Sequence, residues 1–149
     1  MSIGLLDVNM LIALVWPTHV HHVPAYAWFR ENKDSGWATC PITETGFIRL
    51  SSNRKIIRDA VNPNEALLVL RNLQSKGRHE FWPDDVSILH DCMPTRWLVG
   101  HGQTTDAYLL GLAIRNRGRL VTLDRGIASL ITDNPKRAKI MEVVSAHHD

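Results

Sequence analysis

The sequence predicts a three-layer α/β sandwich around a mostly parallel sheet, in one domain spanning 1–149. Three observations carry this. Short apolar, β-rich runs alternate with segments of helical period almost throughout. The runs are continuously apolar, as in strands buried on both faces. No repeat, linker or low-complexity stretch divides the chain. With 149 residues, 44% of them hydrophobic and 21% charged, the composition is that of a folded globular domain and excludes a disordered tail protein. The formal charge of +2 is too weak to argue for a nucleic-acid partner by itself.

Ile3 to Leu6 form the first predicted strand, which ends at Asp7. Met10, Leu11, Leu14 and Val15 then keep a helical period until Pro17, with Asp7 or Asn9 as the cap. This run has no basic n-region and contains Asp7 and Asn9, so it is not read as a signal peptide. It is also too short to span a bilayer, so a cytoplasmic protein without membrane contact is expected. His19, His21 and His22 precede a helix through Ala25, Trp28 and Phe29 toward Gly36. No cysteine or histidine elsewhere completes a tetrahedral zinc set with them. Trp37 to Cys40 form a second strand, Pro41 interrupts it, and Ile42 to Ser52 resume as a helix with Glu44 in its first turn.

A polar, basic stretch follows, and then a helix from Glu65 to Lys76 that ends at Gly77. His79 to Trp82 form a third strand, and Asp84 and Asp85 open a short helix through Ile88 and Leu89. In GHGQTTDAYLLGLAIRNRGRLVTLDRGI, Thr104 or Thr105 caps a helix carrying Asp106 in its first turn, and Asn116 and Gly118 stop it. Leu120 to Leu123 form a strand, so Asp124 stands at a strand's C-terminal end. Gly126 to Ile131 suit a short helix, 134–139 a basic turn and Ile140 to Val144 a last strand, with a frayed tail from Ala146 to Asp149. Cys40 and Cys92 lack CxxC spacing and are expected as free thiols in a reducing compartment.

Four carboxylates share one kind of position: Asp7 and Asp124 follow strands, and Glu44 and Asp106 open helices. Singly, each is explained by capping or by the helix macrodipole, worth ~0.3–1 kcal/mol. Together they fall along one edge of a parallel sheet, where such folds bind ligands. Crowded carboxylates repel unless a cation lies between them, and oxygen-only donors suit Mg²⁺ or Mn²⁺. Such ions activate water against phosphodiesters without a serine, cysteine or histidine nucleophile.

LLDVNMLIAL, ITETGFIRL, TTDAYLLGLAI and LVTLDRGI, in this order and separation, resemble the PIN-domain ribonucleases, specifically the VapC toxins of type II toxin–antitoxin pairs, over nearly the whole chain. The resemblance implies a sheet order of 3-2-1-4-5 and a metal-dependent endoribonuclease that leaves a 5′-phosphate. It assigns Asp7, Glu44, Asp106 and Asp124 to the catalytic metal site, which holds one or two Mg²⁺ or Mn²⁺ ions, with Asn9 and Thr122 as supporting polar neighbours. It also implies a homodimer inhibited by a small cognate VapB-type antitoxin. Many relatives carry Ser or Thr where this chain has Asn9.

Arg49 and Arg125 are the preferred RNA-phosphate contacts among Arg49, Arg54, Lys55, Arg58, Arg115, Arg117, Arg119 and Arg125. Trp28, Trp37 and Trp82 read as core, while Trp16 and Trp97 are candidates for base stacking. One alternative is a PIN-like scaffold that binds RNA or protein without chemistry. Another is a receiver-like signalling module, which pairs acids after its first strand and puts a phosphoacceptor after its third. Here Asp7 has no acidic neighbour, and Phe81 is followed by Trp82 and Pro83.

Overall fold

The strands pair in the order β3-β2-β1-β4-β5, and every pairing is parallel. This is the expected order, seen in a computed structural model that describes residues 2–145. The strands are β1 (Gly4–Leu6), β2 (Trp37–Thr39), β3 (His79–Phe81), β4 (Arg119–Thr122) and β5 (Met141–Val143). The helices are α1 (Val8–Val15), α2 (His22–Asn32), α3 (Pro41–Ser51), α4 (Pro63–Gln74), α5 (Thr104–Arg115) and α6 (Arg137–Ile140).

Successive residues of a strand face opposite sides of a sheet, and the two cores follow from that rule. Leu5 and Leu120 join α5 and the 3₁₀ segment Arg125–Ile131 on one face. Leu6 and Val121 join α1, α2, α3 and α4 on the other. The central strand β1 is fully buried along its length, which explains why its sequence shows no alternation.

Several local expectations shift. Pro41 does not interrupt: it occupies the first turn of α3, where its missing N–H costs nothing, and β2 ends at Thr39. β3 ends at Phe81, one residue short of Trp82. α4 opens at Pro63, two residues before Glu65, because Asn62 accepts a hydrogen bond from the Glu65 N–H at 2.9 Å. Neither Thr104 nor Thr105 caps α5. A 3₁₀ turn at His101–Gln103 runs straight into that helix, and the Gln103 side chain accepts the N–H groups of Val99 and Gly100 instead.

The predicted helix through Ile88 and Leu89 does not form. Asp85 pairs with Arg115 at 3.2 Å rather than capping, and the Tyr108 hydroxyl holds the loop by donating to the Val86 carbonyl. β4 ends at Thr122, so Leu123 separates it from Asp124. The basic turn at 134–139 is partly helical, since α6 begins at Arg137, and β5 is shorter than Ile140 to Val144. The tail from Ala146 to Asp149 lies outside the described residues.

The stop of α5 is built differently from its expected glycine signal. The Gly118 N–H bonds the Ala113 carbonyl at 2.9 Å and the Arg117 N–H bonds that of Ile114 at 3.1 Å, a Schellman pair. The residue in the left-handed conformation is Arg117, at φ 57°. Glycine is needed one position later, where a Cβ would lie 2.5 Å from the Ile3 carbonyl oxygen and the Trp82 ring. Gly118→Ala should therefore lower the melting temperature by several degrees, whereas Arg117→Gly should change stability by less than ~1 kcal/mol. Thermal melts of the two variants check this.

Candidate active site

Asp7 caps α1 from the end of the central strand: its Oδ1 accepts the Val8 N–H at 2.7 Å. Asn9, the other candidate cap, is exposed on α1 with no side-chain hydrogen bond among the described residues. Asp7 Oδ2 accepts the hydroxyl proton of Thr122, at 2.8 Å, across the β1–β4 pairing. Thr122 is fully buried, and its oxygen in turn receives the Asp124 N–H at 3.1 Å. One threonine thus ties the Asp7 carboxylate to the backbone of Asp124, the acid that follows the neighbouring strand.

Asp124 is exposed and caps the following 3₁₀ segment through Oδ1 and the Gly126 N–H, at 2.8 Å. Asp106 lies in the first turn of α5, half-buried, and makes no hydrogen bond among the described residues. It shares a cleft of about 200 Å³ with Asp124, lined also by Gln103 and Ile127.

These three acids feel one another. Burial raises the carboxyl pKa of Asp7, the bonds from Thr122 and Val8 oppose the rise, and the Asp124 charge adds to it. Asp106 is pushed up to about 6, first by burial and then by the charges of Asp7 and Asp124. Glu44 stands on the flank: its charge acts on His79 and Cys40, and its Oε2 accepts Thr39 Oγ1 at 2.7 Å and Gln74 Nε2 at 2.6 Å.

Among the described residues, no three His, Cys, Asp or Glu side chains form a group that could hold a metal ion as they stand. The donor chemistry nevertheless fits a hard cation. Mg²⁺ keeps several waters and takes only one or two carboxylates, and mutually repelling carboxylates are what such a cation relieves.

Other expected contacts are placed differently. Arg49 is in the last turn of α3, ~7.5 Å further along the axis than Glu44 and ~140° around it, so the two do not share a face. Arg125 is exposed directly beside Asp124. Arg119 is withdrawn from any ligand: it is buried and paired with Glu142 at 2.8 Å. Trp16 is half-buried and donates to Ser51, whereas Trp97 is 42% exposed under the Arg96 guanidinium. Gln74 and His79 were missed by sequence reasoning. They lie on a packing helix and an edge strand, with no local signal pointing at Glu44.

A 3-2-1-4-5 parallel sheet with aspartates gathered at the carboxyl ends of its central strands is an open α/β fold with an acidic ligand crevice, and the family model described as PIN domain matches residues 4–131. The chain is 47% identical over 133 residues to Ribonuclease VapC38 of Mycobacterium tuberculosis, covering 89% of this chain and 93% of the relative. It is 43% identical over 129 residues to Ribonuclease VapC29 of the same species, covering 87% and 91%. The fold is also that of a chain from the crystal structure of VapBC2 from Rickettsia felis bound to a promoter DNA fragment, with a TM-score of 0.61 at 15% identity over 96% of this chain and 99% of that one. The chain belongs to the PIN-domain family, in its VapC group.

The raised Asp106 pKa sets a sign. A carboxyl whose folded pKa exceeds its unfolded value stabilises the fold at low pH, and that contribution is lost as pH rises through about 6. Without divalent cation, Asp106→Asn should therefore be more stable than the parent at pH 7.5. The gain is ~1 kcal/mol once the solvent-facing half of the side chain is discounted, and it should vanish near pH 4. Denaturant titrations at both pH values in EDTA measure it.

Proposed function

We propose that this chain is a divalent-metal-dependent endoribonuclease that cuts RNA phosphodiesters and is held inactive by a cognate antitoxin. One observation carries the reading: Asp7, Asp106 and Asp124, far apart in sequence, act on one another at a single sheet edge. The names of the VapC relatives, which are ribonucleases, support the RNA substrate. The likeness to a chain of the VapBC2 structure supports a protein partner of antitoxin type. A homodimer in the cytoplasm completes the reading. Among the described residues no helix is long and apolar enough to cross a membrane.

Asp7, Asp106 and Asp124, joined by Glu44 from the first turn of α3, would hold one or two Mg²⁺ or Mn²⁺ ions, which would supply a water nucleophile at neutral pH and neutralise charge on the leaving oxygen. The protein's own part is orientation. Thr122 and the Val8 N–H each take one oxygen of Asp7 and so prevent the carboxylate from rotating. Gly126 occupies only Oδ1 of Asp124, so among the described residues Oδ2 of Asp124 and both oxygens of Asp106 carry no hydrogen bond. Arg125 offers its guanidinium to a phosphate next to the scissile one. A scaffold without chemistry has no use for an Asp106 carboxyl set where the charges of Asp7 and Asp124 raise its pKa.

Mn²⁺- or Mg²⁺-dependent cleavage of RNA should leave 5′-phosphate ends and stop on EDTA addition. Asp7→Asn should lower kcat by at least ~100-fold with the fold intact. Undiminished, EDTA-insensitive cleavage by that variant refutes the reading. Arg125→Ala should instead raise KM several-fold and reduce the salt slope of RNA binding by about 1, measured by filter binding across NaCl concentrations.

A further inference from the structure

Glu44 differs from the other three acids in that its charge acts on His79 and Cys40 rather than on Asp7 or Asp106. Its Oε2 receives two hydrogen bonds, from Thr39 Oγ1 at 2.7 Å and from Gln74 Nε2 at 2.6 Å. Thr39 Oγ1 also lies 2.8 Å from His79 Nε2 and 3.2 Å from Gln74 Nε2. A hydroxyl has one proton and two acceptor sites, and a carboxylate only accepts. The Thr39 proton therefore goes to Glu44, and Gln74 donates to one lone pair. The other lone pair must receive a proton from His79, which fixes that imidazole as protonated at Nε2.

The assembly is rigid at each end. Thr39 is fully buried on β2. The His79 ring packs on Trp37 with centroids 4.6 Å apart, and the Trp37 indole donates to the Lys76 carbonyl at 3.0 Å. A buried threonine needs only one acceptor. Here further donors from α4 and β3 converge on the same hydroxyl and carboxylate oxygen, and Oε1 is left without a hydrogen bond among the described residues.

We propose that Thr39, Gln74 and His79 are positioning residues for Glu44, a clamp that fixes Oε2 and leaves Oε1 as the oxygen offered to a hydrated divalent cation. The purpose assigned to the clamp rests on the functional reading above, and the clamp itself on the hydrogen-bond count. Groups that orient a ligating carboxylate are costly to lose, typically ~10–100-fold in metal affinity or activity.

Three measurements on the full chain test it. In the cation-free protein, ¹⁵N–¹H imidazole spectra should show His79 protonated at Nε2, and an unprotonated Nε2 overturns the clamp whether or not the protein cuts RNA. Calorimetric Mn²⁺ titration should give at least ~10-fold weaker binding for Thr39→Val, with Thr39→Ser within about threefold of the parent. A threonine needed only for packing would lower the melting temperature in the valine variant and leave Mn²⁺ affinity alone, which overturns the proposal.

If Thr39→Val does not fold, Gln74→Leu takes its place: several-fold weaker Mn²⁺ binding supports the clamp, and unchanged binding overturns it. A parent protein that neither binds Mn²⁺ nor cuts RNA removes the functional reading and the clamp's purpose together, while the His79 spectrum still decides the clamp's geometry.

Discussion

The bond from Thr122 to Asp7 is the contact on which the rest of the site depends. A carboxylate buried at the end of the central strand needs compensation, because burial disfavours its charged form. Thr122 supplies that compensation from the neighbouring strand and, through the same oxygen, receives the Asp124 N–H. Sheet pairing, capping of α1 and placement of the second strand-end acid are thereby coupled in one hydroxyl. Asp106 arrives from α5 on the opposite face to α1 and meets two acids already fixed.

The order of the strands makes this economical. With β1 central and β2 and β4 on either side, the chain reverses its direction of winding beside Asp7, and the crevice opens where helices leave on opposite faces. Glu44 enters from the β2 side and Asp124 from the β4 side. Its own neighbours hold Glu44 on the flank, so the acids differ in restraint: Asp7 is held by both oxygens, Asp124 and Glu44 by one each, and Asp106 by none among the described residues.

Much of this was legible in the chain. Continuous apolar runs such as Ile3 to Leu6 announced buried parallel strands, and the repeated strand-then-carboxylate pattern located Asp7 and Asp124 at one edge. What escaped has a common physical cause. Thr39 meets Gln74 and His79 across 35 and 40 residues, and no local period encodes a partner that distant. The Arg115–Asp85 pair likewise overrides a good local cap signal with a tertiary contact, while the threonine cap of α5 is displaced locally, by the 3₁₀ turn that Gln103 closes onto Val99 and Gly100. Arg117 shows the reverse error: a glycine read as a stop signal is there for close packing, and its neighbour carries the backbone strain.

The span of the Thr122–Asp7 bond, 115 residues, has a consequence in the order of synthesis. A domain emerging from the ribosome folds as a unit, and here the first strand waits for the fourth. Until Thr122 has emerged, the nascent chain carries Asp7 without its hydroxyl and lacks Asp124 altogether. A translation product that stops short of Asp124 therefore lacks the acidic crevice, and the crevice takes shape only once the fourth strand has emerged.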